Sequence, residues 1–149
     1  MPILNGILIE ADENALRLAG ERLAPFADRI HLVQAVYSEI PEVLEELGLN
    51  LADAVLLDLG VSSMQLDEKD RGFAYSFDAP LDMRMDATEE LTAAKILNEY
   101  NEDDLNRIFK TYGEERYARA IARQIVKIRS KSPFTTSKQL TDIIAKVVP

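Results

Sequence analysis

There is no cysteine among the 149 residues, and His31 is the single histidine. Without thiols the chain has neither a disulfide framework nor thiolate metal sites, and one imidazole leaves little transition-metal chemistry. No metal is therefore expected, and any catalysis must rest on carboxylates, amides, hydroxyls, backbone groups or a bound cofactor. Glycine is scarce too: the 6 glycines, at 6, 20, 48, 60, 72 and 113, stand too far apart to form a glycine-rich phosphate or cofactor loop. There is no run of about 18 apolar residues and no basic-then-apolar leader, so the expectation is a cytoplasmic protein with no membrane partner.

What is present suffices for one core and little more, at 47% hydrophobic and 29% charged residues. The net charge of −9 is unevenly spread. Through residue 87, 6 Lys and Arg face 17 Asp and Glu, giving −11; from Leu105 onward 10 face 3, giving +7. An acidic first part joined to a basic tail suggests two tasks on one chain.

The run GILIE (6–10) reads as a strand and the amphipathic stretch after it as a helix, with Asp12 placed as its cap. IHLVQA (30–35) reads as a second strand. Ser38 can cap a helix with Pro41 in its first turn, Val43, Leu44 and Leu47 inward, and Gly48 at its end. ADAVLLDLG (52–60) reads as a third strand. Nearly all-apolar strands alternating with helices predict a parallel sheet covered on both faces, with His31 packed inside a strand. From Thr88 only helices are expected: one begun by Thr92, one capped by Asn101, one over 114–131 with Glu114 and Glu115 in its first turn, and one over 137–148.

Three groups of residues could carry chemistry. Glu10 ends the first strand, where an open α/β sheet places a carboxylate against a ribose; it could equally cap the following helix. Asp58 ends the third apolar run, so its carboxylate either binds amides of the Gly60–Ser63 turn or faces a ligand. Ser62 and Ser63 have no histidine nearby to activate them. On the helix over 114–131, Arg116, Arg119, Arg123 and Lys127 fall within an arc of roughly 80° at about 100° per residue, opposite Tyr117, Ile121, Ile125 and Ile128. Such a stripe is either a solvated face or a surface for nucleic-acid phosphates.

The string LLDLGVSSMQLDEKDRGFAYSFDAPLDMRMD, followed by TYGEERYARAIARQIV at 111–126, closely resembles the small-subunit rRNA cytosine-N4 methyltransferases. The resemblance runs through essentially the whole chain. It implies an S-adenosylmethionine-dependent enzyme that methylates the exocyclic amine of a cytidine in 16S rRNA, with 16S rRNA or the small ribosomal subunit as partner. It further implies cofactor contacts from Glu10 to the ribose, from Tyr37 to the adenine, and from Asp58 and Gln65. Glu10 stands where the family usually has Asp, Tyr37 where it has Phe, and Val36 where it has a small or polar residue. The basic stripe becomes a candidate RNA-binding surface. Asp58-Leu59-Gly60-Val61 lacks the prolines and aromatic of other amino-methyltransferases, and no catalytic residue is assigned.

The fold so implied is α/β: a partial Rossmann-like methyltransferase sheet over 1–87 with an appended all-helical, inserted domain over 88–149. The family's glycine-rich first strand and loop precede the part matched by Gly6 onward, and its sheet is completed beyond Pro149. That first strand would lie between 6–10 and 53–58. The expectation is therefore that these two strands pair directly or that a homodimer covers the open sheet edges. The chain alone is expected to be inactive, and the alternative is a non-catalytic module that binds RNA or protein through the helix at 114–131.

Overall fold

The structure, a computed structural model, describes residues 5–149. It is α/β, with a two-stranded parallel sheet and seven helices among the described residues. Two compact units form: residues through Leu59 together with Met85–Thr88, and Gly60–Arg84 together with Glu89–Pro149. The residues from Gly60 to Arg84 thus group with the helices rather than with the strands.

In the first unit β1 (Gly6–Glu10) leads into α1 (Glu13–Leu23) and on to β2 (Ile30–Gln34), a parallel β-α-β unit. The register runs from Gly6 opposite Ile30 to Glu10 opposite Gln34. Helix α1 starts where it does because Asp12 Oδ1 accepts from the amides of Asn14 (2.9 Å) and Ala15 (3.3 Å). After β2, a tight turn over Tyr37–Glu39 precedes α2 (Ile40–Glu46). The helix starts later than Ser38 because the Glu39 carboxylate accepts from the Val36 amide at 2.8 Å and closes that turn first. Pro41 lies in the first turn of α2, Val43 is its buried residue, and Gly48 follows it at φ 69°.

Three expectations fail here. Residues 52–60 are not a strand: they have no ladder partner among the described residues, and Val55, Leu56 and Leu57 are 64%, 92% and 55% exposed. An apolar composition gives a segment the capacity for a strand, but a strand exists only when a neighbour takes its hydrogen bonds. Of the two alternatives for the open edge, direct pairing of 6–10 with 53–58 is likewise absent: β1 has β2 along one edge and no strand along the other among the described residues. The sheet is not covered on both faces among the described residues: β1 is half-buried throughout, and His31 is exposed on β2 rather than packed.

The second unit holds the core. Leu81, Leu97, Leu105, Ile121, Ala122, Ile125, Phe134 and Ile143 form one buried cluster drawn from α4 (Ala93–Glu99), α5 (Glu102–Thr111), α6 (Ala118–Arg129), α7 (Ser137–Val147) and the segments beside them. Phe134, Leu105 and Ile125 are fully buried, each burial contributing about 1.5–3 kcal/mol. Thr92 Oγ1 caps α4 through the Lys95 amide, and Asn101 Oδ1 caps α5 through that of Asp104. Helix α6 begins at Ala118, not 114. Glu114 is left-handed at φ 50°, and the Glu115 carboxylate accepts from the Tyr117 amide at 2.7 Å, so both acidic residues precede the helix instead of occupying its first turn. Gln139 Oε1 accepts from the amides of Thr135 (2.7 Å) and Thr136 (3.0 Å), closing the start of α7.

Side chain–backbone bonds fasten the connections. Asn98 donates to the carbonyls of Ala94 and Phe134 and accepts from the Phe134 amide. The Arg129 guanidinium donates to the carbonyls of Leu97 and Tyr100, holding the C-terminal end of α4.

Candidate functional site

Glu10 is the last residue of β1 and lies at the carboxyl edge of the parallel pair, in register with Gln34. One carboxylate oxygen accepts from the Asp12 amide at 2.9 Å, fixing the side chain at the β1–α1 turn while Asp12 caps the helix. The other oxygen accepts no hydrogen bond among the described residues. Gln34 Nε2 reaches the Ala11 carbonyl at 3.4 Å and ties the two strand ends together. Tyr37 opens the turn after β2 at that same edge, 65% exposed. Glu10 and Tyr37 are therefore a carboxylate and an aromatic ring on adjacent strand ends, where open α/β sheets bind ligands.

Asp58 lies in the exposed extended segment; of its two readings, that of acceptor for the Gly60–Ser63 amides finds no hydrogen bond among the described residues. The Ser62 amide donates instead to Gln65 Oε1 at 3.0 Å, while the Gln65 amide donates to Ser62 Oγ at 3.2 Å. This reciprocal pair is a capping box on α3 (Ser63–Asp67), and Gln65 is 4% exposed in the second unit. Two surface depressions, one lined by Ile40, Leu44 and Leu49 and one by Tyr75, Phe77 and Lys138, contain none of these four residues. No cluster of three or more potential metal ligands occurs among the described residues.

On α6, Arg119 and Arg123 are exposed on one face, as is Lys127 one turn on; Arg116 lies in the turn before the helix. The stripe is not bare. Arg119 meets Asp103 at 3.0 Å and Glu102 at 3.7 Å, and Arg123 meets Glu102 at 3.6 Å. Lys127 and Arg116 form no ion pair within 4.0 Å among the described residues. The sequence marks Asp103 and Asp104 as helix-start residues but not which cation they face.

The PLDMRMD string has a structural role in its first part. Leu81 is a core residue whose amide donates to the Thr135 carbonyl at 3.0 Å; the Leu81 and Asp82 carbonyls accept from the Ala94 and Ala93 amides that start α4. Arg84 binds the Asp82 carboxylate through Nε at 2.8 Å and Nη2 at 2.7 Å. That hydrogen bonding, with the nearby Arg71 charge, holds the Asp82 carboxyl below its ordinary pKa against partial burial. Arg71 donates to the Arg84 carbonyl, and Gly72, at φ 73°, lies so close to Pro80 that a Cβ would come within 2.2 Å of the Pro80 carbonyl oxygen.

Residues 2–149 match the model of the MraW methylase family. The chain belongs to the MraW methylase family. Among curated relatives of this MraW methylase chain, the protein named ribosomal RNA small subunit methyltransferase H from Pseudarthrobacter chlorophenolicus is 58% identical over 148 residues, covering 99% of this chain and 45% of that protein. The protein of the same name from Thermobifida fusca is 55% identical over 148 residues, with the same coverage. That from Mycolicibacterium smegmatis is 53% identical over 99% of this chain and 40% of its own length. This MraW methylase chain thus spans less than half the length of these relatives.

Proposed function

We propose that this chain is the part of an S-adenosylmethionine-dependent methyltransferase that supplies the nucleoside end of the cofactor site and an RNA-facing helix. The substrate is the exocyclic N4 amine of a cytidine in 16S rRNA. The observation that carries the proposal is the family match over residues 2–149, together with relatives named as small-subunit rRNA methyltransferases. The residues at the carboxyl edge of β1 and β2 fit the cofactor's adenosine. Glu10 has a carboxylate oxygen available for ribose hydroxyls, and the exposed Tyr37 ring can stack on adenine. Asp58 and Gln65 are assigned to the same cofactor on family resemblance.

When bound, the cofactor supplies an electrophilic methyl group. The cytosine amine is a weak nucleophile because its lone pair is delocalised into the ring, and positioning supplies much of the acceleration. The base must leave any stack to present that amine. Arg116, Arg119, Arg123 and Lys127 would hold the RNA backbone while it does so. Catalysis is proposed to require more than this chain, which is inactive alone; an edge-to-edge homodimer would be one way to cover β1. A second reading, a non-catalytic RNA- or protein-binding module, is favoured by one observation: the whole buried core cluster lies in the second unit with the basic face.

Calorimetric titration with S-adenosylmethionine tests the first reading. The chain should bind, and Glu10→Ala or Asp58→Ala should each weaken binding by about tenfold or more, the worth of a charge-assisted hydrogen bond. No binding, or binding indifferent to both substitutions, would overturn the assignment of the cofactor half-site.

A further inference from the structure

The first turn of α5 carries Glu102, Asp103 and Asp104, but its capping is done elsewhere: Asn101 Oδ1 takes the Asp104 amide, and Asp104 pairs with Arg107 at 3.7 Å. Glu102 and Asp103 instead face α6. Glu102 is bracketed by Arg119 and Arg123, one turn apart, and Asp103 accepts a direct hydrogen bond from Arg119. The two arginine side chains are 58% and 69% exposed. Surface ion pairs of this kind are weak and readily exchanged, and a phosphate offers a guanidinium two anionic oxygens, as a carboxylate does.

We infer that Glu102 and Asp103 are an internal phosphate mimic, which RNA must displace from Arg119 and Arg123 before it can engage the full basic face of α6. The inference rests on the reading of that face as an RNA contact. Lys127 and Arg116, exposed and without ion pairs among the described residues, are the points of first contact. The carboxylates then act as an electrostatic threshold. A stray phosphate contact leaves the arginines where they are, whereas an RNA that reaches Lys127 and Arg116 together gains enough to exchange the remaining pairs. The device lowers affinity for unrelated polyanions and flattens the salt dependence, because fewer net counterions are released.

Binding of a fluorescein-labelled single-stranded RNA oligonucleotide, followed by anisotropy across a salt series, tests this. Glu102→Gln with Asp103→Asn should tighten binding about five- to tenfold at low salt, and steepen the log–log salt slope by about 1 to 1.5 for two freed phosphate contacts. Glu89→Gln with Glu99→Gln changes net charge equally without touching α6 and should give a smaller gain with an unchanged slope. Arg116→Gln with Lys127→Gln should weaken binding. If that last pair weakens binding while the Glu102/Asp103 variant behaves like its charge control, the phosphate-mimic inference is overturned and the RNA reading stands. If the Arg116/Lys127 variant binds as the wild type does, the RNA reading itself falls, and the inference with it.

Discussion

Replacing Asn98 with alanine removes the amide that pairs with both backbone groups of Phe134, at 2.8 Å to the carbonyl and 2.9 Å from the amide. Phe134 is fully buried, and no buried side-chain nitrogen or oxygen lacks a hydrogen-bond partner among the described residues, so the clamp belongs to a satisfied interior. Each bond contributes about 0.5–1.5 kcal/mol net, and groups left without water or partner cost about 1–3 kcal/mol. The loss should therefore be about 2–4 kcal/mol, including the bond to the Ala94 carbonyl. For a domain of roughly 60–100 residues this lowers Tm by about 10 °C or more. Urea unfolding followed by far-ultraviolet circular dichroism reports on it directly, because α4 to α7 supply most of the helical signal. Asn98→Asp keeps the acceptor for the Phe134 amide but sets an oxygen against its carbonyl, and should be no more stable than the alanine variant. An Asn98→Ala protein within about 0.5 kcal/mol of wild type would show that the clamp is incidental and that apolar packing alone seats Phe134.

Three other perturbations separate the roles assigned above. Gly72→Ala combines a positive φ with a 2.2 Å approach to the Pro80 carbonyl and should cost about 2–4 kcal/mol, seen as rapid proteolysis between residues 72 and 84. The Asp82–Arg84 pair should stabilise fully at neutral pH. Because the Asp82 pKa is depressed in the folded state, its contribution is present above the unfolded value and is lost as pH falls through the folded one, below about pH 4. Melting temperatures of wild type and Asp82→Asn should converge there, and an unchanged gap would refute the pairing. Arg129→Ala should uncap the C-terminal end of α4 at a cost of about 1–3 kcal/mol by chemical denaturation, with Arg129→Lys recovering only part.

Where the sequence was legible, the determinants were local. Asp12, Thr92 and Asn101 each fix a helix start through bonds that span three residues at most, and those starts are read correctly. Failures come where two local signals compete or where a distant partner decides. Ser38 looks like a cap, but Glu39 closes a tighter turn in front of α2. Glu114 and Glu115 look like a helix start, yet a left-handed backbone at Glu114 delays α6 to Ala118. Residues 52–60 carry every compositional mark of a buried strand and have no neighbour to pair with. The candidate site divides in the same way. Glu10 stands at the sheet edge that its place at a strand end implies, and Tyr37, named only through the family resemblance, opens the turn beside it. The capping of α3 by Gln65 and the pairing of Arg119 with Asp103, which depends on side chains 16 residues apart, were not visible.

The bonds joining 77–81 to the start of α7 also bear on the order of folding. The Leu81 amide meets the Thr135 carbonyl, Ser137 exchanges bonds with Ala79, and the Lys138 amide meets the Asp78 carboxylate across 60 positions of sequence. Closing a loop of that length costs about 3–4 kcal/mol of chain entropy before the first of these bonds forms, whereas α5 and α6 meet across a short turn. The α5–α6 pair should therefore assemble first and the 77–81 segment dock late. Substitutions at Ser137 should then accelerate unfolding with little effect on the refolding rate, while substitutions at Ile121 slow refolding. The PLDMRMD string lies at this late closure, so during synthesis it stays open until α7 has left the ribosome.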